Sequence, residues 1–180
     1  MLKTLYHGTN AIFEKFDPNY LNSDCAIDQH GSGYYFYDSI EPATHHGSNI
    51  IFANCNIKKV LDEYQLDNYI LTKEDIKYLI LQSPELDLCL TNFGDIAFES
   101  FDKVLEDAIK LYIDMDVLHT LNVIGNDFFR GKYSHILLKE FTNLTGFNCL
   151  QKKFTEHSIW VMFDENDIDI LKIVPWKDLK

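Results

Sequence analysis

The chain has 180 residues, 46% hydrophobic and 24% charged, which suits one folded domain of about 100–200 residues and excludes wholesale disorder. There are 28 acids against 16 bases for a net charge of −12, and Arg130 is the sole arginine. Nucleic acid is therefore disfavoured as a partner, because such a surface repels phosphate backbones and lacks the bidentate guanidiniums that grip them. A basic protein would be attracted by the same field, although acidity is also a common route to solubility.

In chain order, residues 2–7 (LKTLYH), 33–37 and 49–57 (NIIFANCNI) are short, rich in β-branched and aromatic residues and bounded by Gly, Asn or Asp, and predict strands. From 57 to 120 the texture changes. DEYQLDNYILTKEDIKYLILQ and IAFESFDKVLEDAIKLYIDM carry apolar residues at helical spacing, with Thr72 to Asp75 resembling a capping box. Residues 133–138 (YSHILL) and 158–163 (SIWVMF) predict strands again, and 163–176 (FDENDIDILKIVPW) a final strand, a turn and a further extended piece. The expected fold class is α+β: one domain over 1–180, with strands from both ends forming a small split core and a helical lobe inserted at about 57–120.

Cys25, Cys55, Cys89 and Cys149 are far apart with no CxxC pair, so neither a zinc nor a redox motif is written here; reduced, mostly buried thiols of a cytosolic protein are expected. The beginning MLKTLYHGTN lacks the apolar region of a secretory leader, and no apolar run approaches the ~18 residues of a membrane span. The expected location is the cytoplasm, with no membrane partner; delivery into a host cell without a cleavable signal is left open.

Two short motifs carry the functional argument. In GSGYYF (31–36), Gly31 and Gly33 permit φ > 0 and the close approach of a ligand. The strand that follows sends Tyr35 to one face and Tyr34 and Phe36 to the other. An ordinary turn into an aromatic strand explains the same residues. In LYHGT (5–9), His7 taken alone reads more readily as a structural histidine than as a ligand contact. The N–H and C=O of Gly8, with the Thr9 hydroxyl beside them, have the chemistry to clamp a planar carboxamide.

Taken together, Y-H-G-T, then G-x-G-Y-Y-F, then A-T-H-H at 43–46 resemble the ADP-ribosyltransferase superfamily, in particular its diphtheria-toxin-like and poly(ADP-ribose)-polymerase-like branch and the small bacterial and phage members of it. GKYSHILL (131–138) and SIWVMFDENDIDIL (158–171) are similar to later family strands, and the helical lobe is unmatched. The resemblance implies a split-sheet core and NAD as co-substrate. His7 would bind a ribose hydroxyl, Gly8 the nicotinamide carboxamide and Tyr35 the nicotinamide ring, with Thr9 near the ribose and Gly33 in the cofactor loop. A second ring is expected from His45, although a surface histidine fits that position as well. Asp24 and Asp28 fall in the loop that often covers the dinucleotide in this family.

The family's glutamate, four residues before the aromatic that precedes the Asp, falls on Ile159. Isoleucine cannot stabilise the cationic sugar that forms as nicotinamide leaves. Three explanations are open. A bulge would bring Glu156 or His157 into the site, Glu156 being the expected third catalytic residue. The chain would otherwise resemble the His-Tyr-Ile mono-ADP-ribosyltransferases that borrow a carboxylate from the substrate, or bind NAD or ADP-ribose without chemistry. Asp164, Glu165 and Asp167 read as a solvated turn. The histidines have no metal-ligand spacing, and no metal is expected.

The function implied is NAD-dependent mono-ADP-ribosylation of a protein target of unknown identity, as by a bacterial effector, a toxin or a phage anti-defence factor. The alternative is an inactive NAD- or ADP-ribose-binding module that acts by protein contact. An RNA 2′-phosphotransferase on the same fold is disfavoured, since that chemistry wants arginines around a phosphate.

Overall fold

The computed structural model describes residues 1–21, 32–93 and 100–179. The fold is α+β. Strands β1 (Leu2–Thr9), β2 (Tyr34–Tyr37), β3 (Asn49–Asn56), β4 (Val60–Leu61), β5 (Cys149–Lys153), β6 (Ser158–Met162) and β7 (Ile168–Pro175) make one seven-stranded sheet in the order β4-β5-β6-β2-β1-β3-β7. Between β2 and β3 lies a short helix, α1 (Ile40–Ala43), continued by a 3-10 turn over Thr44–His46. Between β4 and β5 come α2 (Glu63–Asn68), α3 (Lys73–Leu81), α4 (Leu86–Phe93), α5 (Phe101–Tyr112), α6 (Val117–Asp127) and α7 (Ser134–Thr145).

The helical lobe thus runs from 63 to 145, beyond the expected 57–120. Residues 133–138, expected as a strand, open α7. Ser134, Leu137, Leu138 and Phe141 are its buried residues, one stripe of a 3.6-residue period. Segment YSHILL is too short to tell two apolar periods apart, and packing against the lobe decides. The capping box at Thr72 and Asp75 is present, each side chain bonding the other's main-chain N–H. Ser100 and Asp116 cap α5 and α6 in the simpler way.

Register assigns the side chains to two faces. β1 pairs with β3 along its whole length, from Leu2 opposite Asn56 to Thr9 opposite Asn49. With β2 it pairs only at Tyr6 opposite Tyr37. Directly opposed residues in an antiparallel pair share a face, so Tyr6, Tyr37, Ile159 and, two residues on, Tyr35 and Val161 lie on one side. Leu5, His7, Tyr34, Phe36 and Trp160 lie on the other.

The second face is closed by Phe13, Phe16 and Leu21 from the loop after β1. On the first face, Leu61, Leu150, Val161 and Phe163 of the sheet region form one buried cluster with α3 to α7. A smaller cluster beside it joins Tyr37, Ala43 and Ile50 to Tyr6, Phe52, Ile159 and Leu179. Each fully buried Leu, Ile or Phe contributes about 1.5–3 kcal/mol.

The turn at 164–167 departs from expectation. Asp167 is buried, not solvated, accepting from Lys58 Nζ, Asn56 Nδ2 and the fully buried Asn148. Asn148 also accepts from the Lys58 and Lys59 amides and donates to the Asn56 carbonyl, so all its polar capacity is used where β3, β4 and β5 meet. No helix among the described residues is long and apolar enough to cross a membrane.

Candidate functional site

Past Tyr6 and Tyr37 the ladder between β1 and β2 stops, and His7 reaches across the seam. Its Nδ1 is 2.7 Å from the Tyr35 carbonyl oxygen. A carbonyl can only accept, so Nδ1 carries the proton and Nε2 presents a lone pair. Burial pushes the imidazole below its usual pKa; the bond to Tyr35 opposes this and the nearby His46 adds to it. A neutral ring with a bare Nε2 is suited to accept from a hydroxyl.

The His7 and Tyr35 side chains do not share a face. His7 packs against Phe16 and Phe36, whereas Tyr35 is half-buried on the lobe side. The contact between His7 and Tyr35 is ring nitrogen to main-chain oxygen, so a ligand touching both side chains must pass through the seam. Tyr34 and Phe36 are core residues of the far face, the alternation the sequence implied.

Gly8 is buried beneath the end of α1. A Cβ there would stand 1.9 Å from the Ala43 carbonyl oxygen, so close packing requires a glycine. Gly33 has φ of +147°, and a Cβ would meet Val161 Cγ1 at 2.4 Å and the Met162 carbonyl oxygen at 2.8 Å. Its freedom serves the approach of β2 to β6. The Thr9 hydroxyl accepts from the Ala11 amide, which leaves its proton to donate. Gly31, Asp24, Asp28 and Cys25 lie outside the described residues.

His45, expected as the second ring, is exposed, and so is its neighbour His46. His46 stacks on Tyr37, with centroids 5.4 Å apart and planes 21° apart, and its Nε2 is 2.6 Å from the tyrosine hydroxyl. Burial holds the Tyr37 phenol above its usual pKa; burial, then the charge of His45, hold His46 below its own. The phenol and the imidazole share one hydrogen bond, whose direction follows the His46 tautomer. The His157 ring also approaches Tyr37, with centroids 5.8 Å apart. The pairing of Tyr37 with His46 was not foreseen in the sequence.

The β2–β6 ladder is tight where β1–β2 is open. It runs from Tyr34 opposite Met162 to Tyr37 opposite Ile159 without a shift of register. It continues as Asp38, whose amide donates to the Ser158 carbonyl while its carboxylate accepts from the Ser158 amide. The bulge that would re-aim Glu156 is therefore not present. Glu156 is exposed in the 154–157 loop of the β5–β6 hairpin, and Ile159 takes the place opposite Tyr37, packed into both first-face clusters.

Elsewhere, a shallow concavity lies between α6, α7 and Phe163. Ser32 lines it, but none of His7, Tyr35 or His46 does, and its mostly apolar wall belongs to lobe packing. Among the described residues no cluster of three or more His, Cys, Asp or Glu is arranged to hold a metal ion.

No family model matches the chain, and no curated protein matches it. A solved structure described as the crystal structure of an anti-CRISPR protein is similar at a TM-score of 0.43 and 13% identity, over 97% of this chain and 96% of that one. That likeness is too distant to bear on fold or function.

Proposed function

We propose that the chain binds NAD at the seam between β1 and β2 and transfers ADP-ribose to a protein, in the manner of transferases that carry isoleucine in the third position. The sheet would then be a split-sheet transferase core with the helical lobe inserted. One observation carries the reading: His7 sits in the seam with Nε2 bare and Nδ1 held by Tyr35, in a sheet where β6, β2 and β1 are consecutive. Strands with His7, Tyr35 and Ile159 are thus neighbours, as this chemistry requires.

In the reaction, the bond from the ribose anomeric carbon to the nicotinamide nitrogen breaks and nicotinamide leaves with the electron pair. A target side chain attacks the anomeric carbon and loses its proton to a base. His7 Nε2 accepts from a ribose hydroxyl and orients the sugar. With Ile159 in the third place, the carboxylate that eases charge on the sugar comes from the target.

A second reading, an NAD- or ADP-ribose-binding module without chemistry, is favoured by the same Ile159 and by the exposure of Glu156. Nicotinamide release from NAD by the purified protein, with calorimetric NAD binding alongside, separates them. Release lost in both His7→Ala and Tyr35→Ala supports the transferase, binding without release supports the module, and no binding removes both.

A further inference from the structure

The register that sets Ile159 opposite Tyr37 also sets Lys152 of β5 opposite Ile159. Directly opposed residues share a face, with Cβ atoms about 4.5–5.5 Å apart, so Lys152, Ile159, Tyr37 and Tyr6 form one row across β5, β6, β2 and β1. The row runs on through Phe52 to Lys172 of β7, whose ammonium lies over the Phe52 ring, 4.3 Å from its centroid. Its other end is different. Among the described lysines two are half-buried, Lys3 and Lys152. Lys3 holds its ammonium over the Trp160 ring, 4.4 Å from the centroid. Lys152 has no hydrogen bond, ion pair or ring contact among the described residues, and Glu156 of the same hairpin does not pair with it.

A half-buried lysine keeps its stem against the protein and its ammonium at the surface, and here no counter-charge offsets the desolvation. We propose that Lys152 receives an oxyanion beside Ile159, the carboxylate of the target protein, and is thereby the specificity-determining residue of the reaction. This rests on NAD lying in the seam as proposed above. Ile159 is uncharged, so its neighbour sets the electrostatics of the third position. An unpaired ammonium there opposes positive charge on the departing sugar and holds back attack by water. A carboxylate bound to Lys152 cancels that charge and turns a negative oxygen towards the sugar, which reverses the effect. NAD is thus conserved until an acidic segment of the target arrives. The net charge of −12 repels such a segment from afar, but at physiological salt that field is screened beyond about 8 Å.

Acetate serves as the probe carboxylate. It is titrated into the full chain against chloride at constant ionic strength while the Ile159 methyl signal is followed by NMR and nicotinamide release from NAD is assayed. NAD affinity is measured by calorimetry in parallel.

In the wild type the methyl signal should shift saturably, and release should rise about tenfold over the same range of acetate. Both responses should vanish in Lys152→Met with NAD affinity unchanged. Lys153→Met, one residue along β5 and on the opposite face, should behave as the wild type. A methyl shift that persists in Lys152→Met, or no shift in the wild type, overturns the site. So does bound NAD whose release ignores acetate, or a loss of NAD affinity in Lys152→Met, which assigns the ammonium to the NAD diphosphate. A shift that requires Lys152 in a protein that binds no NAD upholds the anion site and removes the NAD reading.

Discussion

His7 and Tyr35 project from opposite faces of the sheet, yet the His7 ring donates to the Tyr35 main-chain carbonyl at 2.7 Å, in place of a strand-to-strand ladder. His7→Ala should lower stability by about 0.5–1.5 kcal/mol and, if the seam holds NAD as proposed, weaken NAD binding about tenfold or more. The pH dependence has a definite sign. Burial lowers the folded-state pKa of His7, so the unfolded chain takes up the proton first as pH falls. The stability is full above the unfolded value of about 6.5 and declines as pH falls from there towards the folded value. Melting curves between pH 8 and pH 5 should be steeper in the wild type than in His7→Ala; equal slopes would assign the titration elsewhere.

Gly8→Ala should destabilise by about 1–3 kcal/mol or more, because the Ala43 carbonyl stands where the new methyl group would go, 1.9 Å from it. Gly125→Ala in α6 is the contrast. Its nearest neighbour is 3.5 Å away, so the gain of helix propensity, up to about 1 kcal/mol, should raise the melting temperature by a few degrees. Urea titrations of the two variants should move in opposite directions.

Ile159→Glu places a carboxylate on the face of Tyr35 and Tyr37. If the seam holds NAD as proposed, nicotinamide release should rise by about tenfold or more, since an oriented charge at the departing sugar stabilises the transition state. Unchanged release with retained NAD binding would show that the bound ribose lies away from position 159.

Asn148→Ala strips partners from the Lys58 and Lys59 amides and from Asp167 at once. A loss of about 2–4 kcal/mol is expected from the buried groups left unpaired. A loss below about 0.5 kcal/mol would mean that water replaces the amide.

Burial pushes the Cys55 and Cys149 thiols up to about 12, and Cys89 is raised for the same first reason. These three should resist thiol reagents at pH 8 in the native protein and react readily in urea. Mass spectrometry of trapped thiols checks this residue by residue.

Much of the sheet was legible because strands β1, β2, β3 and β6 are dense in β-branched and aromatic residues between clear breakers. Strand β5 was not. Its CLQKK has one apolar pair and two lysines, and its pairing is set by the hairpin with β6 and the parallel contact with β4. YSHILL was misread because a six-residue apolar run holds less than two helical turns, and Phe141, which completes the stripe, lay outside the window. At the site, counting back from Phe163 found Ile159, since a strand without a bulge preserves spacing. The Tyr37–His46 contact was not legible, because a residue's direction in a 3-10 turn depends on what it meets, here the Tyr37 hydroxyl. The solvated reading of Asp167 failed for the same reason, Asn148 being 19 residues away in sequence.

By sequence the helical lobe is an insertion: the chain leaves the sheet at Leu61 and returns at Cys149, and those two strands lie side by side. By packing it is nothing of the kind, because Leu61, Leu150, Val161 and Phe163 share a single buried cluster with Ile76, Leu105 and Phe141 of the helices. Excision would bare that apolar floor. The lobe and sheet should accordingly melt as one cooperative unit, giving a single calorimetric peak whose van't Hoff and measured enthalpies agree.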